Sequence, residues 1–158
     1  RMDLFIAVFD GLPGVGLLRD SGTAYLVVNA AHILCIGLVV GAILPLDLRL
    51  LGLFAQAPLA VLGPFLARAA AVGVAGAVLT GTWLFAVNAA DYVGNPAFLA
   101  KLVLLALALC NVALQHGLGG FRAALAGGRA SPATKALAAA SFVLWPLVLL
   151  AGRWIAFV

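Results

Sequence analysis

The two histidines of this sequence are the side chains best suited to bind a redox metal. His32 and His116 are the only histidines, and each lies inside a long apolar segment. Ionisable groups at membrane depth are costly to bury and are typical of functional sites. Two imidazoles on facing helices suggest the ligand pair of a b-type haem. The sequence therefore predicts a metal site with His32 and His116 as its candidate ligands.

The depths of the two histidines argue against one iron atom held by both. A helix rises about 1.5 Å per residue. His32 then lies roughly 10 Å into the first predicted span and His116 roughly 30 Å along the third, whereas two ligands of one iron must share a depth. Lys101, about 8 Å along the third span, is closer in depth to His32. We expect His32 to be a ligand, and His116 or Lys101 to be the second ligand or a propionate contact.

Other polar side chains are predicted to share the half of the bilayer that holds His32. Cations around a neutral histidine suit a haem whose propionates pair with Lys101 or Arg153, and they also suit a quinone or a small anion. Each residue has a structural alternative, because lysine and arginine snorkel to headgroups and asparagine bonds neighbouring helices. The candidate cofactor-binding residues are His32, His116, Lys101, Arg153, Asn29 and Trp83, with Asn88 and Asp91 expected nearby.

The elements that must position these residues are transmembrane helices. Of the 158 residues, 66 % are hydrophobic and 9 % are charged, whereas soluble domains carry roughly a quarter charged residues. Crossing a bilayer takes about 20 apolar residues, so four spans account for the chain. We predict an all-α integral membrane four-helix bundle, a single transmembrane domain over 1–158, with a short N-terminal interfacial helix over 2–18. The predicted spans are about 25–51, 65–88, 96–116 and 132–156.

Helix start signals support two of these boundaries. A polar cap followed by proline at the first helical position is a favourable helix start. This pattern occurs at Asn95-Pro96 and again at Ser131-Pro132. The third and fourth spans are therefore predicted to begin there.

The charges between the spans predict the orientation of the bundle. The net charge is +4, and an excess of basic residues marks the cytoplasmic side of a membrane protein. We expect that side to hold the basic residues and Asp47, and the other side to hold the remaining acids and both termini. No basic patch is interleaved with aromatic residues, so nucleic acid is not an expected partner. The basic residues of the predicted cytoplasmic side are Arg49, Arg68, Arg122, Arg129 and Lys135, and the opposite acids are Asp3, Asp10, Asp20 and Asp91.

Other reaction chemistry has no signature in the sequence. The chain contains no glutamate, no Ser-His-Asp set and no glycine-rich phosphate loop. Cys35 and Cys110 lie inside apolar runs without the spacing of a metal site or of a disulfide framework. Redox chemistry or ligand binding is therefore favoured over hydrolysis.

Two motifs of the first span resemble an uncharacterised family of short bacterial four-span membrane proteins. They are His32-Ile-Leu-Cys-Ile-Gly-Leu-Val-Val-Gly41 and Asp47-Leu-Arg49-Leu-Leu-Gly52. Further matches are Gly81-Thr-Trp-Leu-Phe85, Asn95-Pro-Ala-Phe98, Lys101, Asn111, His116, and Gly152-Arg153 after Trp145. The resemblance implies a bacterial inner (cytoplasmic) membrane location and no function. In that membrane, the charge pattern puts both termini on the periplasmic side.

A more distant likeness is to the CopD-like group, which includes copper-resistance membrane proteins and the HemJ-type protoporphyrinogen oxidase. His32, Gly41, Pro45 and Arg49 are similar to its first-span layout, and Lys101 matches a lysine that opens the third span. This resemblance implies a b-type haem with His32 as a ligand.

The sequence also departs from this group. Asn111-Val112 stands where the oxidase type has a second histidine, so the resemblance does not extend to oxidase activity. Met2 is the only methionine, and soft copper favours methionine and cysteine ligands, so copper handling is disfavoured.

The sequence thus predicts a small integral membrane b-type haem-binding protein that acts in electron transfer or as a redox subunit. Its partners would be the lipid bilayer and a membrane or redox protein, and a homo-oligomer is left open. One alternative is a non-enzymatic accessory subunit that docks on a larger complex through the small residues Gly73, Ala77 and Gly81. Another is a small transporter-like bundle, which an inverted repeat would favour; we see none.

Overall fold

Helices make up nearly all of the chain and confirm the predicted all-α class. The computed structural model describes residues 7–9 and 11–157, and no β-strand occurs among them. The helices are α1 (Val15–Asp20), α2 (Gly22–Leu51), α3 (Leu59–Val87), α4 (Ala89–Val93), α5 (Pro96–Gly117), α6 (Gly119–Leu125) and α7 (Pro132–Trp154), and a 3₁₀ turn (Ile155–Phe157) follows.

Four of these helices are long and apolar enough to cross a membrane: α2, α3, α5, and α7 with its 3₁₀ extension. In the most apolar stretch of each helix, only 17 % to 22 % of the residues are buried inside the protein. Soluble proteins rarely expose apolar surface on this scale. The chain is therefore a multi-pass membrane protein whose outer surface contacts the lipid bilayer.

The predicted start signals of the last two spans form helix caps. The Asn95 side chain accepts hydrogen bonds from the backbone N–H groups of Ala97 and Phe98, at 2.9 and 3.1 Å. The Ser131 hydroxyl accepts one from the N–H of Thr134, at 3.1 Å. These bonds satisfy N–H groups that have no partner within the helix.

The second span begins earlier than the predicted residue 65. α3 starts at Leu59, and Pro64 lies inside its first two turns. Proline lacks an N–H, so at this position it removes one helical hydrogen bond without ending the helix. Gly63 is buried and in close contact with the Leu125 side chain of α6.

The predicted N-terminal helix over 2–18 is only partly within the described residues, because 1–6 and 10 lie outside them. Residues 7–9 are helical, and α1 follows a turn in which Gly14 has a left-handed φ of +86°. The Arg19 guanidinium donates to the carbonyl oxygens of Ala86 and Val87, at 2.9 and 3.2 Å. A cation on the last carbonyls of a helix is favourable, so α1 is fastened to the C-terminal end of α3.

The long helices pack in the order α3, α2, α7, α5. The extensive contacts are those of α2 with α3, of α5 with α7 and of α2 with α7, whereas α3 and α5 do not pack closely on each other within the described residues. We call the end that carries Arg49, Arg122, Arg129 and Lys135 the basic end, and the opposite end, where α4 lies, the α4 end. At the basic end α6 contacts α3, α5 and α7, and its Phe121 is 3 % exposed.

Close approach of α2 and α3 depends on glycine. A Cβ atom at Gly73 would lie 3.0 Å from the carbonyl oxygen of Cys35 and 3.0 Å from the nitrogen of Val39. One at Gly76 would lie 2.5 Å from the Cys35 sulfur. The small-residue face of α3 is thus packed against α2 within the same chain.

Candidate cofactor-binding cavity

The gap between α3 and α5 forms a cavity of about 880 Å³ towards the α4 end. Small-molecule and cofactor sites have volumes of roughly 300–1,000 Å³. Its lining comes from all four long helices and is largely apolar. Along α2 it extends from Tyr25 to Val40, about 22 Å of helix. The cavity is therefore elongated along the bundle axis.

His32 lines the cavity, and its ring is held by Thr80 of α3. The distance from Nδ1 to the Thr80 hydroxyl oxygen is 2.9 Å. That hydroxyl donates its proton to the carbonyl oxygen of Gly76 at 2.6 Å, which leaves its oxygen to accept a hydrogen bond from Nδ1–H. A neutral ring that donates from Nδ1 keeps its lone pair on Nε2, the arrangement found in metal-binding histidines.

Gly81 provides the space for the His32 ring. A Cβ atom at this position would lie 3.0 Å from Cε1 of the imidazole and 3.6 Å from Nδ1. The carbonyl of Ala77 also lies beside the ring. A one-turn section of α3 from Ala77 to Gly81 therefore fixes the ring's position.

Two cations lie in the same cavity. The Lys101 side chain passes over Gly152 of α7, with Cδ and Cε 3.5 Å from where a Cβ atom would stand. Its ammonium group is close enough to His32 to act on that ring electrostatically. Arg153 is exposed and also lines the cavity. Neither side chain forms an ion pair within the part of the chain that the structure describes, so both charges remain able to pair with an anionic ligand.

Aromatic side chains line the cavity towards the α4 end. The Phe85 and Phe98 rings are stacked, with centroids 5.3 Å apart and planes 9° apart. The Tyr92 ring lies 5.4 Å from that of Phe98. Burial, together with the neighbouring Tyr25 phenol, raises the pKa of Tyr92, so its hydroxyl remains protonated at neutral pH.

The structure brings together four of the six predicted cofactor-binding residues. His32, Asn29, Lys101 and Arg153 all line the cavity. Trp83 is half-buried but is not part of the lining. The predicted neighbours Asn88 and Asp91 are exposed, and they also lie outside the lining.

His116 lies at the basic end, away from His32. Its Nδ1 is 2.9 Å from the carbonyl oxygen of Val112 in its own helix. Its ring packs on Phe121 with centroids 4.8 Å apart, and the side chain is exposed. The expected difference in depth between the two histidines is thus present in the structure.

Thr80 and Trp145 are not among the predicted site residues, and the sequence does not indicate the burial of Asp47. Thr80 has one local signal, since it lies four residues after Gly76 on the helix face that contacts α2. The expected membrane side of Asp47 stays a prediction, whereas its burial is a finding of the structure, because Asp47 lies on a buried face of α2 and is 5 % exposed.

The chain offers one strong metal ligand at this cavity rather than a set. No group of three or more metal-ligating side chains occurs among residues 7–9 and 11–157. A bare zinc or copper ion needs three or four protein ligands. Haem brings four nitrogen ligands of its own, so one histidine is enough to attach it.

Comparison of the chain with sequence models of protein families, with curated proteins and with solved structures gives no match. The function is therefore inferred from the geometry of the cavity.

Proposed function

We propose that this protein binds b-type haem in the cavity and acts in electron transfer in the membrane, where Nε2 of His32 would hold the iron. The observation that carries the proposal is the hydrogen-bond chain from His32 Nδ1 to Thr80 and on to Gly76, which leaves the Nε2 lone pair for a metal. Haem supplies one-electron redox chemistry when bound.

The charges and shape of the cavity support an amphiphilic, anionic cofactor. Its lining is mostly apolar, as a porphyrin ring requires, and Lys101 and Arg153 are available to pair with two carboxylates. Charge-assisted bonds of this kind are roughly twice as strong as neutral ones. Because His116 lies at the other end, Lys101 is the better placed second contact, as a propionate partner or as a ligand.

An isoprenoid quinone is a second candidate ligand. The length of the cavity favours it, since about 22 Å of helix lines a space with polar groups near the α4 end and apolar side chains towards Val40. A quinone ring could hydrogen-bond to His32 and Asn29 there while its tail fills the apolar part. Organic extraction of the purified protein would identify a quinone by its ultraviolet spectrum.

For the setting, we propose a bacterial inner membrane with the basic end in the cytoplasm and the cavity towards the periplasm. The concentration of arginine and lysine at one end supports this orientation. The electron would come from or pass to a membrane or redox partner protein.

Haem titration of the purified protein in mild detergent tests the proposal. We expect the unaltered protein to bind haem with a sharp Soret band, His32→Ala to lose this binding, and His116→Ala to retain it. Failure of the unaltered protein to bind, or loss of binding in His116→Ala with His32→Ala unaffected, would refute His32 as the ligand.

A further inference from the structure

A buried carboxyl group lies between the cavity and the basic end. Asp47 is 5 % exposed, and it is the only acidic residue of the four long helices. Its Oδ2 atom is fully buried without a hydrogen-bond partner among the described residues. The Ser141 hydroxyl of α7 lies near the same carboxyl group. A charge at such a position is costly unless it is paired.

No cation among residues 7–9 and 11–157 forms an ion pair with this carboxyl group. Arg49, two residues further along α2, donates instead to the carbonyl oxygens of Ala57 and Ala55, at 2.7 and 3.1 Å. The other charged residues of the helices packed on α2 are all exposed. They are Arg68 of α3, Lys135 and Arg153 of α7, and Arg19 and Asp20 of α1, and Arg122 of α6 is exposed as well. None of them acts on Asp47. The neutral, protonated form is therefore the one that this site accommodates.

A second unpartnered polar atom lies on α7, one helical turn beyond Ser141. Trp145 is 4 % exposed, and its indole Nε1 is buried without a partner among the described residues. Trp145 follows Ser141 by four residues, so both lie on one face of α7. Trp145 belongs to the apolar cluster that includes Val39 and Ile43 of α2, and it also lines the cavity. Trp145 thus lies at the cavity, one turn along α7 from the serine beside Asp47.

We propose that Asp47 is an internal proton-holding site, joined to Trp145 at the floor of the cavity by one buried water molecule. The water would accept hydrogen bonds from Nε1–H of Trp145 and from the protonated Oδ2 of Asp47, with the Ser141 hydroxyl as a third partner. Buried waters typically make about three such bonds to polar groups that otherwise lack partners. This site goes beyond haem binding and does not depend on it.

The proton chemistry of this site needs no oxidant or reductant. When the site releases its proton, the O–H bond of the Asp47 carboxyl group breaks and an O–H bond to the bridging water forms, which leaves a carboxylate and a hydronium ion. The reverse transfer restores the neutral acid. Asp47 would thereby exchange protons with the cavity from the side that faces the basic end.

Infrared spectroscopy of the haem-free protein in mild detergent at neutral pH tests the proposal. We expect a carbonyl stretching band of a protonated carboxylic acid that disappears in Asp47→Asn and remains in Asp91→Asn, which removes an exposed carboxyl group. Trp145→Phe should shift this band, because the water loses its donor. Labelling of aspartate with carbon-13 at the side-chain carboxyl should shift the band in the unaltered protein, which makes the test independent of variant folding.

Two results would overturn the proposal. One is the absence of any carboxylic acid band that responds to the aspartate label. The other is a labelled band that persists unchanged in Asp47→Asn or is unaffected by Trp145→Phe. Because no haem is present, either result leaves the haem proposal to be judged separately.

Discussion

At the scale of single residues, the proposed haem ligation depends on how the His32 ring is oriented. A histidine ligand is usually oriented by a hydrogen bond from its other ring nitrogen, and that partner strongly affects metal affinity. Thr80 has this position here, because its own proton is already donated to Gly76. Removing the hydroxyl without changing the size of the side chain therefore separates orientation from packing.

Thr80→Val should weaken haem binding by about 10- to 100-fold, the usual effect of losing such a partner. Thr23→Val, at an exposed position near the start of α2, is the matched control and should bind as the unaltered protein does. Haem titration followed at the Soret band measures both. Equal affinities for the two variants would show that Thr80 does not orient the ligand.

At the scale of helices, the site requires α2 and α3 to lie unusually close. Gly73 and Gly76 allow this approach, and Gly81 makes room for the His32 ring in the same interface. The hydrogen bond between His32 and Thr80 joins positions 48 residues apart along the chain. It therefore forms only if the helix interface is correct.

Gly73→Ala should destabilise the bundle by about 1–3 kcal/mol, the usual cost of overpacking a filled interface. The added Cβ would lie 3.0 Å from backbone atoms of Cys35 and Val39, which cannot rotate away. Thermal unfolding in detergent measures the change.

Gly37→Ala is the matched control, because a Cβ there meets nothing within 4 Å. It should leave stability unchanged or raise it by about 0.5–1 kcal/mol through helix propensity. A larger loss of stability for Gly37→Ala than for Gly73→Ala would contradict the helix interface described here.

The sequence predicts the ends of these helices well where the signal is local. Caps at Asn95 and Ser131 involve neighbours within three residues, so residue types alone indicate them. Pro64 gives the wrong start for the second span. Proline often ends a helix, but one near the start of a helix can be accommodated, as Pro64 is in α3. Thr80, Trp145 and the burial of Asp47 depend on contacts between distant helices, which periodicity in an almost wholly apolar sequence does not reveal.

At the scale of the whole molecule, the two ends of the bundle differ in charge and in packing. The basic end is closed by α6 and filled with apolar side chains, whereas the cavity extends towards the α4 end. The charge difference predicts that the basic end faces the cytoplasm. The cavity would then exchange its ligand or electrons on the periplasmic side.

Cysteine labelling in intact cells tests this orientation. In a background with Cys35 and Cys110 replaced by alanine, Asp91→Cys should react with a membrane-impermeant maleimide. Arg129→Cys should react only after the membrane is permeabilised. Both positions are exposed at opposite ends of the bundle. The reverse pattern would show that the protein inserts the other way round.

We propose that His32 binds haem in the cavity, and the absorption spectrum of the protein purified from cells supplied with haem is the measurement that decides it. We predict a Soret band, with sharp α and β bands after reduction by dithionite, in the unaltered protein and in His116→Ala. His32→Ala should lack these bands while retaining its helical circular dichroism. A featureless visible spectrum of the unaltered protein, or an unchanged haem spectrum in His32→Ala, would contradict the claim.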